Sequence, residues 1–134
     1  MIERIGHINI RTPILKETIR FYEELFDLVA GPAQTMGHQE MHAWLYGKDG
    51  RAIIHVNSPP DGEAPIPPGV RARLDHIAFD CSDVGEMERR LTAFGVPFVK
   101  RATRVAGLTQ IVLSDPNGIR LELAFGADKA MAPS

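Results

Sequence analysis

The sequence contains one cysteine, Cys81, so no disulfide can form within the chain. It has no apolar run near the roughly 20 residues of a membrane-spanning helix, and its first residues lack the basic and apolar segments of a secretory signal. The formal net charge is only −2, with both signs spread along the chain, which favours neither nucleic acid nor an anionic membrane as a partner. We therefore expect a cytoplasmic protein that binds neither.

The chain has 134 residues, 44% of them hydrophobic, which is enough for a single domain with a core. Residues 4–11 alternate like a half-buried strand, with His7, Asn9 and Arg11 on its polar face. Thr12-Pro13 then introduces a helix whose apolar stripe includes Ile19, Tyr22 and Phe26. Three further strands are predicted at residues 29–35, 40–46 and 51–57.

The same order of elements returns after a Pro- and Gly-rich linker at residues 59–69. A strand is predicted at residues 73–80, and Ser82-Asp83 introduces a helix that Gly95 terminates. Strands are then predicted at 98–104, 109–114 and 119–125, and residues 127–134 are expected to be loose.

The sequence thus predicts an α+β fold made of two tandem βαβββ modules, at about 1–58 and 70–126, within one domain spanning 1–134. In each module, the helix covers one face of a mixed sheet and leaves the other face open. Two such modules side by side form a concave trough, with the helices on its outer side.

Four side chains that can bind a metal fall at equivalent places in the two modules. His7 and His76 lie on the first strands, and His55 and Glu122 lie on the fourth, with offsets of about 69 and 67 residues. Alternation puts all four on the face away from the helix. Three imidazoles and one carboxylate suit a first-row divalent metal and leave two octahedral positions for water or substrate.

Each of these residues has an ordinary structural interpretation when it is taken alone. A single histidine in a strand is more often a hydrogen-bonded structural residue than a ligand, and Glu122 alone fits an exposed charge at a sheet edge. Their shared position in both repeats favours the metal site over those interpretations.

Residues 3–125 resemble the vicinal-oxygen-chelate superfamily, which includes glyoxalase I, ring-cleaving dioxygenases and bleomycin-resistance proteins. The motifs that carry the resemblance are GHINIR and FYEELFDL in the first half, and DHIAFD, GVPF and SDPNGIRLELAF in the second. The resemblance implies the same four ligands and one divalent metal per site, which would be nickel, zinc, cobalt, manganese or iron(II). It also implies a small substrate that chelates this metal through neighbouring oxygens.

Bacterial glyoxalase I is the most similar activity, which implies a lyase or isomerase. In that reaction, Glu122 would be both a ligand and a base. Arg11, four residues after the first ligand, matches the arginine that helps to bind a carboxylate of glutathione, which makes glutathione a candidate co-substrate. The sequence departs from glyoxalase I at His55, where that enzyme has glutamate.

Two alternatives from other classes stay open. His7, His76 and Glu122 match the two-histidine, one-carboxylate set of iron(II) oxygenases, which predicts a ring-cleaving dioxygenase with His55 as a fourth ligand or as an acid and base. Bleomycin-resistance relatives only sequester a ligand, but they generally lack the ligand set that is present here.

Three further side chains are candidates for substrate binding. Alternation turns His42 and Trp44, together with Tyr46, toward the trough as an aromatic wall, although this wall also fits a core position. Gln110 faces the trough in one register and away from it if the strand shifts by one residue. The family resemblance also implies a homodimer, in which the metal is bound by one chain or shared by two.

Overall fold

The structure is a computed structural model that describes residues 1–31, 42–58 and 73–126. The chain divides into two compact units, Met1–Ile66 and Pro67–Ser134. The linker predicted at 59–69 and the tail predicted at 127–134 lie outside the described residues. Within the described ranges, no helix is long and apolar enough to cross a membrane.

In its described residues, 1–31 and 42–58, the first unit contains one helix and one four-stranded mixed sheet. Its elements, in chain order, are β1 (Ile8–Arg11), α1 (Leu15–Phe26), β2 (Val29–Gly31), β3 (His42–Tyr46) and β4 (Ala52–Asn57). The strand order is β1-β4-β3-β2, with β1 parallel to β4 and the other pairs antiparallel. A parallel β1–β4 pair needs a long connection, which α1, β2 and β3 supply.

The core of this unit lies between α1 and its sheet. Phe21, Tyr22 and Leu25 of the helix are buried, as are Leu45 and Ile54 of the sheet. Burial of each such side chain contributes about 1.5–3 kcal/mol. The other sheet face, called the first open face here, carries the intervening side chains, which are Asn9, His42, Trp44, His55 and Asn57.

The second unit repeats this architecture. Its elements are β5 (Ile77–Cys81), α2 (Val84–Phe94), β6 (Phe98–Ala102), β7 (Thr109–Ser114) and β8 (Arg120–Phe125). The sheet order is β5-β8-β7-β6, again with only the first pair parallel. Ile111, Leu121 and Leu123 are fully buried on one face. The opposite face, called the second open face, carries Ala78, Gln110, Val112, Arg120 and Glu122. The predicted α+β class and its tandem βαβββ order are confirmed.

Local signals fix the ends of the second unit's elements. Asp83 accepts a hydrogen bond from the Glu86 backbone amide at 3.1 Å as the N-cap of α2, and Gly95 ends the helix with a left-handed φ of 78°. The turn between β7 and β8 closes on Asp115, whose Oδ1 accepts from the Asn117 and Ile119 amides at 2.8 and 2.9 Å.

The first strand of each unit starts later than the sequence predicts. The strand predicted at 4–11 begins at Ile8, and the one predicted at 73–80 begins at Ile77. An edge strand has one neighbour, and pairing begins only where Ile8 faces Ile54 and Ile77 faces Leu121. His7 and His76 therefore each precede their strand by one residue.

Other strand ends differ by smaller amounts. The strand predicted at 98–104 stops at Ala102, because the hydroxyl of Thr103 accepts from the Val105 amide at 3.1 Å and turns the chain. The strands predicted at 29–35 and 40–46 are described only in part, since residues 32–41 lie outside the described ranges.

Candidate metal centre

In the first unit, the predicted ligand His7 immediately precedes β1, and the predicted ligand His55 lies on the neighbouring parallel strand β4. His55 on β4 pairs directly with Asn9 on β1, two residues after His7. The His7 and His55 ring centroids are 6.4 Å apart. The structure therefore brings this predicted pair to one end of the β1–β4 ladder, on the first open face.

Trp44 and His42 flank His55 on the same face. Trp44 pairs with His55 across β3 and β4, and its ring stacks on that imidazole with centroids 4.4 Å apart. His7 meets Trp44 edge-on at 4.6 Å, and His42 stacks near His55 at 5.6 Å. The predicted wall of His42 and Trp44 thus lies against the predicted ligands, on the face away from the unit's core.

Among the described residues, His55 has a hydrogen-bond partner at one of its two ring nitrogens. The Asn9 side-chain amide lies 2.8 Å from His55 Nδ1, while the buried Nε2 has no partner within that part of the chain. Burial lowers the pKa of His55, and the nearby rings of His42 and His7 lower it further. The lowered pKa favours the neutral imidazole, which is the form that binds metals.

In the second unit, His76 and Glu122 are close together. His76 Nε2 lies 3.5 Å from Glu122 Oε2. His76 Nδ1 lies 2.8 Å from Asp75 Oδ2, and an ionised carboxylate can only accept. This contact places the ring hydrogen of neutral His76 on Nδ1 and directs the Nε2 lone pair toward Glu122.

Two arginines hold the other oxygen of Glu122. Nη2 of Arg101 and Nη2 of Arg120 lie 3.5 and 3.4 Å from Glu122 Oε1, and the Glu122 side chain is only 14% exposed. Arg101 Nε also donates to Gln110 Oε1 at 3.0 Å. Gln110 pairs with Ala124, which puts it on the second open face with Glu122 and settles the register that the sequence left open.

The two ligand pairs occupy equivalent positions in their sheets. His55 is paired with the residue two places after His7, and Glu122 is paired with Ala78, two places after His76. Two predicted substrate residues, His42 and Gln110, also occupy equivalent positions. His42 pairs with Asn57, two residues after His55, and Gln110 pairs with Ala124, two residues after Glu122. Arg11 lies at the end of β1 opposite Asn57, on the same face as Asn9.

The model of the Glyoxalase/Bleomycin resistance protein/Dioxygenase superfamily matches residues 4–123. The chain belongs to this superfamily. Its resemblance to the vicinal-oxygen-chelate proteins, which rested on short motifs in the sequence, is thereby confirmed.

Individual members of the superfamily are distant. Glyoxylase I 4 of Arabidopsis thaliana is 23% identical over 122 residues, which cover 89% of this chain and 68% of that protein. The fosfomycin resistance protein FosX of Listeria monocytogenes is 20% identical with a TM-score of 0.69, covering 95% of this chain and 96% of that one. A glyoxylase/bleomycin resistance protein/dioxygenase domain from Frankia sp. EAN1pec is 21% identical with a TM-score of 0.69, covering 94% and 93%. These two structures share the fold of this chain.

The donor atoms of this superfamily member fit a divalent metal in their chemistry. His55 Nε2 is buried with no hydrogen-bond partner among the described residues and can bind a metal when the ring hydrogen is on Nδ1. His76 Nε2, one residue before β5, lies 3.5 Å from Glu122 Oε2 on the neighbouring strand β8. Within residues 1–31, 42–58 and 73–126, no three His, Cys, Asp or Glu side chains are gathered as a metal cluster. The predicted ligands are instead described as one pair in each unit.

Sequence reasoning missed the residues that hold the ligands. Asn9, Asp75, Arg101 and Arg120 contact predicted ligands, but none was expected to do so. The adjacency of Asp75 and His76 in the sequence was a usable signal, since metal-binding histidines commonly donate to a carboxylate. Arg101 is 21 residues from Glu122 in the sequence, and only the strand register brings it close.

Proposed function

We propose that this protein is a metal-dependent lyase or isomerase of the glyoxalase type, acting on a small substrate that presents two neighbouring oxygens. The observation that carries the proposal is the equivalent register of the two ligand pairs. A repeat that conserves only its core has no reason to place imidazole or carboxylate donors at the same ladder position in both sheets.

In this proposal, His7, His55, His76 and Glu122 bind one divalent ion, with each pair supplied by one unit of the same chain or of a partner chain. The bound ion supplies a Lewis acid that stabilises negative charge developing on the substrate oxygens. Nickel, zinc, cobalt, manganese and iron(II) are all compatible with three imidazoles and one carboxylate.

The protein's own residues would then move the proton. Glu122 Oε1 lies against Arg101 and Arg120, so Oε2 is the oxygen that would bind the metal, and it would accept a proton from an acidified C–H group when it leaves the metal. Burial lowers the pKa of His55, which favours the neutral ring. His55 is the second group that can exchange a proton. The two arginines lie beside Oε1, which favours the carboxylate orientation in which Oε2 faces His76.

Substrate contacts are proposed for the residues beside these ligands. Trp44 and His42 offer an aromatic surface next to His55, and Gln110 offers an amide on the second open face. Arg11 is a candidate to bind a carboxylate of glutathione, as the resemblance to glyoxalase I implies.

Metal content and variant proteins test the proposal. We expect about one equivalent of divalent metal per site in protein purified without added metal, measured by inductively coupled plasma mass spectrometry. His76→Ala and Glu122→Ala should lose this metal and any isomerase activity on the hemithioacetal of methylglyoxal and glutathione. Asp80→Ala removes another carboxylate from β5 and is the control that should keep both. Absence of stoichiometric metal under any loading would refute this function and favour a ligand-sequestering protein.

The Asn9 contact favours a ring-cleaving dioxygenase as the second candidate. When Asn9 donates to Nδ1, neutral His55 carries its hydrogen on Nε2 and serves as an acid rather than a ligand. His7, His76 and Glu122 would then be the iron(II) ligands. Oxygen uptake with catechols after anaerobic iron(II) loading would place this candidate first, and metal-dependent isomerisation without oxygen uptake would eliminate it.

A homodimer is proposed as the working assembly. This assembly is proposed from the resemblance to the superfamily, whose members commonly form dimers. Light scattering coupled to size exclusion should give twice the 14.8 kDa chain mass. A monomer at working concentration would contradict the assembly but not the metal site.

A further inference from the structure

Asn9 and Asp75 contact the predicted histidine ligands in chemically different ways. Asp75 Oδ2 can only accept from His76 Nδ1, whereas the amide of Asn9, 2.8 Å from His55 Nδ1, has both a donor and an acceptor end. His55 is therefore the one of these two ligands whose neighbour is compatible with either neutral tautomer.

The orientation of the Asn9 amide decides whether His55 can bind a metal through Nε2. With the amide nitrogen donating to Nδ1, as in the structure, the ring hydrogen is on Nε2 and its lone pair is absent. A half-turn of the amide presents Oδ1, which accepts from Nδ1–H and leaves the Nε2 lone pair available.

We propose that Asn9 is a positioning residue for His55, with an amide that rotates between these two states when metal binds. It donates to Nδ1 in the metal-free protein and accepts from Nδ1–H when Nε2 is a ligand. The metal-linked half of this proposal rests on the proposed function, while the hydrogen-bond half concerns the metal-free protein alone.

Two features assign the change to the amide rather than to the imidazole. Trp44 stacks on His55 with an interplanar angle of 18°, and His42 is stacked near it at 26°, so the ring plane is held by its neighbours. Asn9 lies directly opposite His55 in the parallel ladder and is exposed, so its amide can turn without displacing core atoms.

The burial of Nε2 explains why a metal would favour the rotation. Nε2 is buried, and no group in residues 1–31, 42–58 or 73–126 hydrogen-bonds to it, so in the metal-free tautomer its N–H is unsatisfied by this part of the chain. A bound metal replaces that N–H with a coordinate bond, while Asn9 keeps a hydrogen bond to Nδ1 in both states.

The equivalent position in the second unit strengthens this assignment. Ala78 occupies the place of Asn9 and cannot hydrogen-bond Glu122, which is held instead by Arg101 and Arg120. Each fourth-strand ligand is thus held by groups suited to its own chemistry, an amide for an imidazole and guanidinium groups for a carboxylate.

Ring-nitrogen NMR and metal titration of three variants test the inference. Asn9→Asp can only accept, Asn9→Leu removes the hydrogen bond, and Asn57→Leu removes a neighbouring amide from the same face of β4 as the control. Long-range nitrogen–proton spectra at about pH 8, where imidazoles are neutral, identify the ring nitrogen that carries the hydrogen. Competition titration with zinc measures affinity.

The expected results test the Asn9–His55 hydrogen bond separately from the proposed metal binding. Metal-free wild type and Asn57→Leu should carry the His55 hydrogen on Nε2, and Asn9→Asp should carry it on Nδ1. Zinc should move the His55 ring hydrogen to Nδ1 in wild type. Asn9→Leu should bind zinc about 10–100-fold more weakly than wild type, and Asn9→Asp should bind it no more weakly than wild type.

Two results would overturn the inference. Identical His55 spectra in metal-free wild type, Asn9→Asp and Asn9→Leu would show that Asn9 does not select the tautomer. Wild-type zinc affinity in Asn9→Leu would show that the contact does not support the ligand. If wild type binds no zinc, the proposed function and the metal-linked half fail together, and the metal-free spectra still decide the hydrogen-bond half.

Discussion

At the scale of single residues, the orientation of each candidate ligand is set by the group that contacts its other nitrogen or oxygen, the one that would not bind the metal. Asp75 holds His76 Nδ1 and Arg101 and Arg120 hold Glu122 Oε1, so both of these ligands have one oriented donor atom remaining. These contacting residues do not bind the metal themselves. Removing one of them commonly weakens metal binding by about 10–100-fold.

Asp75 should matter for metal affinity through its geometry more than its charge. Asp75→Ala is expected to weaken zinc binding about 10–100-fold, because His76 then loses the acceptor that keeps its hydrogen on Nδ1. Asp75→Asn should recover most of the affinity, since a rotated amide still accepts. Zinc competition titration measures both, and Asp80→Ala is the matched control on the same strand. Equal losses for the alanine and asparagine variants would mean that charge alone matters.

At the scale of helices and strands, the existence and order of elements were predictable, and their ends were less so. The strands at 109–114 and 119–125 matched to within one residue because a strong turn, Asp115 to Gly118, separates them. The first strands were predicted too long, since alternation in residues 4–7 carries no information about where a pairing partner begins.

The predicted apolar stripe of α1 was rotated by part of a turn. The sequence favoured Ile19, Tyr22 and Phe26, but the fully buried residues of α1 are Thr18, Phe21, Tyr22 and Leu25. Thr18 is accommodated because its hydroxyl donates to the Ile14 carbonyl at 2.8 Å, so a polar residue occupies the buried stripe at little cost. Periodicity alone cannot anticipate that internal hydrogen bond.

Helix α2 carries an ion-pair cluster whose stabilisation should depend on pH. Side-chain hydrogen bonds from Arg89 and Arg90 hold the pKa of Glu86 below its ordinary value of 4.5. A carboxyl group with a depressed folded pKa stabilises the fold fully above its unfolded pKa, and this contribution is lost as pH falls through the folded pKa.

Glu86→Gln should therefore lower Tm by about 1–3 °C at neutral pH, the scale of exposed ion pairs in a chain of this length. The difference from wild type should shrink toward zero as the pH drops below the ordinary carboxyl range. Thermal unfolding followed by circular dichroism at several pH values measures this. In an Arg89→Ala/Arg90→Ala background the Glu86→Gln effect should nearly vanish, and a persistent effect there would assign it to helix propensity or the helix dipole instead.

At the scale of the whole molecule, the internal repeat nominated the candidate ligands from the sequence alone, and their role stays a prediction. Equivalent histidines in one strand type, and a histidine and a glutamate in the other, identified all four ligand candidates before any contact was known. The groups that hold them were not predictable, because Asn9 with His55 and Arg101 with Glu122 come together only through the register of distant strands. Reaction class was not predictable either, because one fold of this superfamily supports several chemistries.

His55 is the residue at which this chain departs from the glyoxalase I pattern. Replacing His55 with glutamate makes the donor set two imidazoles and two carboxylates and adds one negative charge to the site. Asn9 can donate to that carboxylate as it donates to His55 Nδ1, so the substitution keeps its nearest hydrogen-bond partner.

If His55 limits glyoxalase chemistry in this chain, His55→Glu should raise the isomerisation of the methylglyoxal–glutathione hemithioacetal by about 100-fold, the scale of one positioned general base. Thioester formation with nickel- and zinc-loaded protein measures the gain. Ala93→Glu adds the same charge at an exposed position of α2, outside the proposed ligand and substrate residues, and should leave the rate within about threefold of wild type because the field of an exposed charge is screened. Equal gains in both variants would attribute the effect to charge. A loss in His55→Glu alongside an active wild type would instead make the imidazole at this position part of a different reaction.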